Sequence, residues 1–287
     1  MKRKAIGGKR TSRTVIRKRK SHFHKRTISR YLLAILCLVF LFSIGYHYKN
    51  GLLYYLGFKS SKVEKNHDSK RFTDVRSFQL LSIYSNKVVG IDVSQYQGEI
   101  TWDKVKVVES TFPIQFVFIR ATVGIDKLDS EFERNWVDVK KNGMIRGAYH
   151  YYRPNENSGK QAEIFIKTVS LQKGDLPPIL DIESMPKNQS MDSLKSGLRR
   201  WLTKIDRHYK IRPIIYTNER YYEDFLKEEF SDFQFWIANY NFFVETMQDD
   251  WLFWQFTEKA TIEGIEGNVD VNLYNGTPKM LKYLTKQ

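Results

Sequence analysis

Eight short runs of apolar and β-branched residues follow one another along the C-terminal part of the chain, and they constrain its fold more than any other feature. Each run has the length of a strand. Patterns of helical length separate the second run from the sixth, at residues 130–142, 158–169, 190–208 and 220–229. Strands that alternate with helices predict parallel pairing with right-handed crossovers. The runs lie at residues 88–93, 116–121, 145–151, 178–182, 213–217, 235–238, 251–256 and 269–273.

The last two connections differ from the earlier ones. Residues 239–250 and 257–268 carry no convincing helical pattern. An eight-stranded barrel that loses its late helices accommodates both observations. We therefore predict an α/β fold, a TIM-like β/α barrel of eight strands with missing or irregular late helices.

Acidic side chains accompany three of the runs at the places where a barrel carries its chemistry. In a parallel barrel, reactive groups lie at the C-terminal ends of the strands, where the following loops form the pocket. Asp92 lies near the end of the first run, and Asp181 and Glu183 lie at the end of the fourth. Asp270 lies near the start of the last run, directly after Gly267-Asn268-Val269. Asp181 and Glu183 are two residues apart, so their side chains point to the same side. The sequence therefore predicts four carboxylates on one rim.

Crowded carboxylates suit the cleavage of glycosidic bonds. They raise one another's pKa, so that one stays protonated while a neighbour is charged. Glycoside hydrolysis needs an acid that protonates the leaving oxygen and a carboxylate that supports the reacting carbon or guides water. The alternatives are loop caps, salt-bridge partners and a Mg²⁺ or Ca²⁺ site. The sequence has no dense acidic loop, zinc spacing or nucleotide-binding fingerprint, so we predict neither a metal nor a cofactor.

An apolar segment near the N-terminus predicts a membrane anchor. Residues 31–48 contain no Asp, Glu, Lys or Arg, and a helix of that length spans roughly 27 Å, close to the ~30 Å hydrocarbon core. The basic head, residues 1–30, holds 13 Lys or Arg and no carboxylate. This asymmetry places the head in the cytoplasm and everything after the segment outside. The alternative is secretion after signal cleavage, with Ser43-Ile44-Gly45 as a passable site.

The distribution of charge argues against nucleic-acid binding. The whole chain carries a formal charge of +15, which would suit a nucleic-acid partner. Residues 88–287, however, hold 26 basic and 29 acidic residues, so the predicted outer domain offers no basic groove. We interpret residues 49–87 as a stalk with some helix around residues 72–84. The only cysteine, Cys37, lies in the apolar segment, so the outer domain has no disulfide.

The predicted outer domain resembles glycoside hydrolase family 25, the Chalaropsis-type lysozymes or muramidases. Ten segments match the motifs of that family in order, and they cover essentially all of residues 88–276. The segments are GIDVSQYQG (90–98), ITWDKVK (100–106), FVFIRATVG (116–124), GAYHYYRP (147–154), QAEIF (161–165), LPPILDIES (176–184), RPIIYTN (212–218), FWIANYN (235–241), WLFWQFT (251–257) and GIEGNVDVNLYNG (264–276).

The resemblance implies a β/α barrel that hydrolyses the β-1,4 bond between N-acetylmuramic acid and N-acetylglucosamine in peptidoglycan. Glu183 matches the family's general acid, and Asp181 matches a carboxylate that orients the substrate or stabilises charge. Asp92 and Asp270 match the other acidic positions of the groove. Whether the substrate's acetamido group or water attacks stays open. Val123 stands where many members carry Glu, which puts one acidic contribution to the groove in doubt.

Six further residues near strand ends match groove positions of the family and are predicted to bind substrate. Aromatic rings stack on the apolar faces of sugars and amides bond their hydroxyl groups, so the set suits a glycan. A place in the core is the alternative for the aromatic residues, and a buried, hydrogen-bonded histidine is the alternative for His150. The six are Tyr149, His150, Tyr216, Asn239, Tyr240 and Gln255.

These patterns predict a membrane-anchored extracellular peptidoglycan hydrolase with a monomeric catalytic barrel over residues 88–287. Its partners are peptidoglycan glycan strands and, through residues 31–48, the cell membrane. The alternative function is an envelope glycan-binding or scaffolding protein with weak or no catalysis. Val123 favours that alternative, and the four carboxylates oppose it.

Overall fold

The computed structural model describes residues 22–49, 52–53 and 68–287. Residues 1–21 of the predicted basic head and most of residues 50–67 in the predicted stalk lie outside the described residues. The chain divides into two compact units between His47 and Tyr48, and each is described by itself. The boundaries assigned to head, span and stalk stay predictions.

The N-terminal unit is described as one long helix, α1, over His22–His47. Within it, Ser29–His47 is a stretch of 19 residues with a mean hydropathy of 1.8, and none of that stretch is buried. Large apolar side chains such as Leu36 and Phe42 are exposed along it. A helix that is apolar on all sides needs an apolar environment, and this one has the length and composition to cross a membrane.

The C-terminal unit contains a closed barrel of eight strands, as predicted. Each strand pairs with its neighbours in sequence order, and β1 closes the barrel by pairing with both β2 and β8. Two short strands, Val107–Val108 and Lys127–Leu128, pair with the two ends of β2. The barrel strands are β1 Val88–Val93, β2 Phe112–Val123, β3 Ile145–Tyr151, β4 Ile179–Asp181, β5 Ile214–Asn218, β6 Gln234–Ala238, β7 Trp251–Ala260 and β8 Val269–Tyr274.

The direction of the last strand differs from the all-parallel arrangement predicted. Strands β1 to β7 run parallel, whereas β8 is antiparallel to both β7 and β1. Only residues 261–268 connect β7 to β8, and a parallel crossover needs a dozen residues or more. The start of β8 therefore lies at the rim where the other strands end. Asp270 is brought there by the beginning of a strand and not by its end.

Aromatic side chains fill the interior of the barrel below that rim. Phe116 and Phe118 on β2 are completely buried, and the two rings are 5.1 Å apart between centroids. Two glycines on the neighbouring strands leave room for them. A Cβ on Gly90 would lie 2.4 Å from the Phe116 ring, and one on Gly147 would lie 2.8 Å from Phe118. These strands therefore need glycine where the rings cross them.

Helices cover the outside of the barrel, and most of those predicted are present. A π-helical turn over Tyr222–Leu226 replaces most of the helix expected at residues 220–229, and no helix interrupts residues 239–250 or 261–268. Side-chain caps fix several helix starts: Asn157, Ser190 and Thr277 each accept a backbone hydrogen bond. The helices are α2 Asp68–Ile83, α3 Phe132–Lys141, α4 Ser158–Thr168, α5 Met191–Tyr209, α6 Glu219–Tyr221 and α7 Pro278–Leu284.

Helix α2 packs on the barrel although it precedes the first strand. It belongs to the segment predicted as a stalk. Its residues Leu80 and Leu81 are completely buried in the main core cluster, together with side chains such as Trp254 on β7. The folded unit therefore begins before β1.

Candidate active site

The four predicted carboxylates line one pocket at the rim of the barrel. The pocket has a volume of about 250 Å³. Alternation along the strands explains the gathering, because inward-facing residues recur at every second position. Asp92 and Asp181 are both at least 95% buried, whereas Glu183 is exposed at the mouth and Asp270 is half-buried.

Asp92 and Asp270 form one carboxyl pair across the seam between β1 and β8. They face each other in the strand register and share a hydrogen bond. The side-chain amides of Gln255 and Asn272 donate to Oδ2 of Asp92 at 2.7 and 2.8 Å. Burial raises the pKa of both carboxyls, and the charge on Asp92 raises that of Asp270 further. The pair therefore retains a proton to a higher pH than isolated aspartates do.

Asp181 and Glu183 form the second carboxyl pair. Burial and then the charge on Glu183 raise the pKa of Asp181, and Oδ1 of Asp181 is buried without a hydrogen-bond partner. Glu183 reaches solvent, yet desolvation by the surrounding barrel still raises its pKa and outweighs the hydrogen bond from Asp181, which lowers it. A carboxyl group that is accessible and has a raised pKa has the properties of a general acid.

Four of the six residues predicted to bind substrate lie at or beside the pocket, and hydrogen bonds join three of them. Tyr149, Tyr216 and Gln255 line the pocket. The hydroxyl groups of Tyr216 and Tyr240 both donate to Oε1 of Gln255, the former at 2.7 Å. Tyr240 is 41% exposed beside the pocket. Gln255 therefore links two tyrosines at the rim to Asp92 at the pocket floor.

Asn239 lies beside this group and does not line the pocket. Its side-chain amide donates to the carboxylate of Glu219 at 2.6 Å, and its side-chain oxygen accepts the backbone N–H of Asn241 at 2.9 Å. These bonds fix the start of the loop between β6 and β7. Asn239 is thus placed to shape this loop.

His150 lies on the opposite face of β3, outside the barrel. It is completely buried against α4 and α5, where its ring stacks on Trp201. Its two ring nitrogens contact Thr122 Oγ1 at 2.7 Å and Gln161 Oε1 at 3.1 Å. Burial lowers the pKa of His150 to about 4, so the ring is neutral. The structure therefore places His150 in the shell, as the alternative interpretation stated, and away from the pocket.

Seven of the residues that line the pocket were not predicted as site residues, and Arg120 and Tyr96 are two of them. Arg120 brings a positive charge to the lining, where Asp129 fixes its Nε at 2.8 Å. Tyr96 is 79% exposed at the mouth, with the Arg120 guanidinium 4.7 Å from its ring centroid. Both lie within the quoted motifs, and Arg120 shares the inward face of β2 with Phe118. That period-two pattern was the available signal for Arg120.

Val123 lies at the end of β2, where it pairs with Tyr151, and it does not line the pocket. A carboxylate does approach this turn from elsewhere, since Oε2 of Glu156 accepts the N–H of Ile125 at 2.8 Å. Within residues 22–49, 52–53 and 68–287, no group of His, Cys, Asp and Glu has an arrangement that would hold a metal ion.

Comparison with known proteins assigns the family. Residues 91–265 match the model of glycosyl hydrolases family 25. The chain belongs to this family. The predictions of a TIM-like barrel and of a glycosidase of the lysozyme type are confirmed. The matched residues include three of the four pocket carboxylates, and Asp270 lies beyond them.

Several known proteins are similar to this family 25 chain over about 70% of its length. It is 35% identical over 215 residues to the uncharacterized protein YegX of Escherichia coli K12, covering 74% of this chain and 78% of that one. Lysozyme M1 of Streptomyces globisporus is 32% identical over 209 residues, which cover 68% and 70% of the two chains. A family 25 glycosyl hydrolase structure from Bacillus anthracis superposes with a TM-score of 0.63 at 26% identity, covering 70% of this chain and 95% of that one.

Proposed function

We propose that this family 25 protein cleaves the β-1,4 bond between N-acetylmuramic acid and N-acetylglucosamine in peptidoglycan, with Glu183 as the general acid. One observation carries the proposal. The end of β4 presents a buried carboxyl, Asp181, next to an exposed one, Glu183, in a pocket that also holds Asp92 and Asp270. Glycosidic cleavage needs such a division of labour between two carboxyl groups.

Glu183 would donate its proton to the leaving glycosidic oxygen. Its exposure lets it reach the substrate, and its raised pKa lets it hold the proton to a higher pH than an isolated glutamate does. Asp181 is hydrogen-bonded to Glu183 and has a buried oxygen with no other partner. That oxygen is suited to accept the N–H of a substrate acetamido group, or to hold a water molecule, at the reacting carbon. The anomer of the first product distinguishes the two routes, since acetamido participation retains the configuration and direct attack by water inverts it.

The remaining pocket groups would bind the sugar chain. Asp92 and Asp270 would offer acceptor oxygens to the hydroxyl groups of the sugar. Tyr216 would add an aromatic ring and Gln255 an amide to the same pocket. We further propose that α1 is a retained anchor that holds the barrel on the outer side of the membrane. Its uninterrupted apolar length supports this, together with the 13 basic residues of the head. Signal cleavage near residue 45 is the competing outcome.

The substitution Glu183→Gln tests the proposed acid. We expect it to lower the release of reducing ends from purified peptidoglycan by about 10³-fold or more, because the amide cannot supply a proton. The thermal unfolding midpoint should stay within a few degrees of the wild type. Glu163→Gln is the matched control, since Glu163 is an exposed glutamate on α4 that pairs with Lys204. Near-normal turnover by Glu183→Gln would refute the assignment.

The same assay separates hydrolysis from the scaffolding alternative. The loss of a family Glu at Val123 is the observation that favours a binding protein without catalysis. Such a protein would sediment with insoluble peptidoglycan and release no fragments. We expect the wild type to release disaccharide fragments and Glu183→Gln to sediment with the intact polymer.

A further inference from the structure

Arg76 on α2 is buried although α2 lies outside the segment that matches the family. Its side chain is 3% exposed. Nη1 donates to the carbonyl of Phe256 at 2.7 Å, and Nη2 donates to the carbonyls of Asn241 and Val244, both at 2.9 Å. The first carbonyl belongs to β7 and the other two to the loop between β6 and β7. One guanidinium group thus joins α2 to this loop and to the barrel wall.

A second residue from the segment before the barrel holds the same loop. The hydroxyl group of Tyr84 donates to the carbonyl of Glu245 at 3.1 Å and accepts the N–H of Met247 at 2.8 Å. Its ring packs edge-on against Trp254, with centroids 6.3 Å apart. The loop contains no helix that could satisfy its backbone groups internally. Arg76 and Tyr84 therefore bond four backbone groups of residues 241–247 from outside the loop.

The held loop leads directly to the pocket. Tyr240 immediately precedes Asn241, and its hydroxyl group donates to Oε1 of Gln255. Gln255 in turn donates from Nε2 to Oδ2 of Asp92 at 2.7 Å. Arg76 on α2 is therefore connected to Asp92 in three steps. It bonds the carbonyl of Asn241, the preceding Tyr240 bonds Gln255, and Gln255 bonds Asp92.

We infer that Arg76 is a positioning residue for the active site: it fixes the loop at residues 241–244 so that Tyr240 stays on Gln255 and Gln255 stays on Asp92. This inference rests on the proposed function for its catalytic consequence. The fork of donors on a guanidinium group serves three carbonyls at once, whereas an ammonium group is a compact donor that cannot span them equally. On this account α2 helps to support the active site of the enzyme.

Kinetics of Arg76 variants in the full chain test the inference. We expect Arg76→Met to lower kcat/KM on purified peptidoglycan about tenfold and Arg76→Lys to restore part of that loss. The effect should largely vanish in a Tyr240→Phe background, because residues that act through one contact are not additive. Additive effects of Arg76→Met and Tyr240→Phe, or an unchanged kcat/KM in Arg76→Met, would overturn the inference. Arg199→Met is the control, since Arg199 also donates to a backbone carbonyl, that of Glu229, away from the pocket.

Amide hydrogen exchange gives a readout that needs no catalysis. In Arg76→Lys, which keeps the charge and so protects the fold, we expect faster exchange over residues 239–247 and unchanged exchange in β3 and β4. Unaltered protection of residues 239–247 would contradict the inference whatever the activity. If the wild type fails to cleave peptidoglycan, the proposed function fails, and the exchange data still decide whether Arg76 positions the loop.

Discussion

Asp92 and Asp270 are two carboxyl groups so close together that ionisation of one opposes ionisation of the other. Asp92 is buried and Asp270 is half-buried, and the two face each other across the seam of the barrel. The amides of Gln255 and Asn272 favour the ionised form of Asp92, so the proton of the pair resides mainly on Asp270. Ionisation of the pair therefore opposes folding, as is common for groups gathered at an active site.

The substitution Asp270→Asn should stabilise the barrel at neutral and alkaline pH. A carboxyl group whose folded pKa is raised contributes stability below its unfolded pKa of about 4, and that contribution is lost as the pH rises through the folded value. Asparagine resembles the protonated form and can still donate to Asp92. We expect the free energy of unfolding at pH 8 to rise by about 1–2 kcal/mol, with little change near pH 4.

Urea unfolding of the wild type and of Asp270→Asn at several pH values measures this difference. The exposed Asp249, in the loop before β7, provides the control substitution Asp249→Asn. A pH dependence as steep in Asp270→Asn as in the wild type would show that Asp270 is not the group responsible.

The strands were the most predictable elements, because short β-branched runs between turns have few other structures available. The direction of β8 was not predicted, since the period of two is the same in both directions. The eight residues between Ala260 and Val269 were the signal, as they are too few for a crossover. Alternation also forbids Tyr149 and His150 from facing the same side of β3. The burial of Arg76 had no local signal, because its partners lie more than 160 residues away.

Gly90 is the position on β1 where packing leaves the least freedom. We expect Gly90→Ala to destabilise the barrel by about 2–3 kcal/mol, because its Cβ would overlap the Phe116 ring at 2.4 Å and overpacking forces side chains and backbone to shift. The double variant Gly90→Ala/Phe116→Leu should be more stable than Gly90→Ala alone. Thermal unfolding measures both effects, and a double variant that is less stable than either single one would contradict this account.

At the scale of the whole molecule, charge and hydrophobicity divide the chain by function. The head carries 13 basic residues, the apolar helix follows, and residues 88–287 are slightly acidic. In the proposed topology this basic excess orients the chain in the membrane and lies outside the groove.

Protease treatment of intact protoplasts tests this topology. We expect a tag at the C-terminus to be digested from outside, while a tag at the N-terminus is protected until the membrane is permeabilised. The full-length chain should remain in the membrane fraction after a high-salt wash. Release of a soluble form that begins near residue 46 would instead establish signal cleavage, and the loss of both tags only after permeabilisation would contradict the outward orientation.

The reversed strand β8 also sets when the enzyme can become active. Asp270 lies 17 residues from the C-terminus, and its partner Asp92 lies on the first strand of the barrel. In the proposed topology the head stays inside and the chain after α1 crosses the membrane in sequence order, so Asp92 crosses well before Asp270. On that topology, the seam can close only after residue 270 has crossed the membrane as well. On the proposed function and topology, a chain halted before that point lacks a complete site, and we expect it not to cleave the wall.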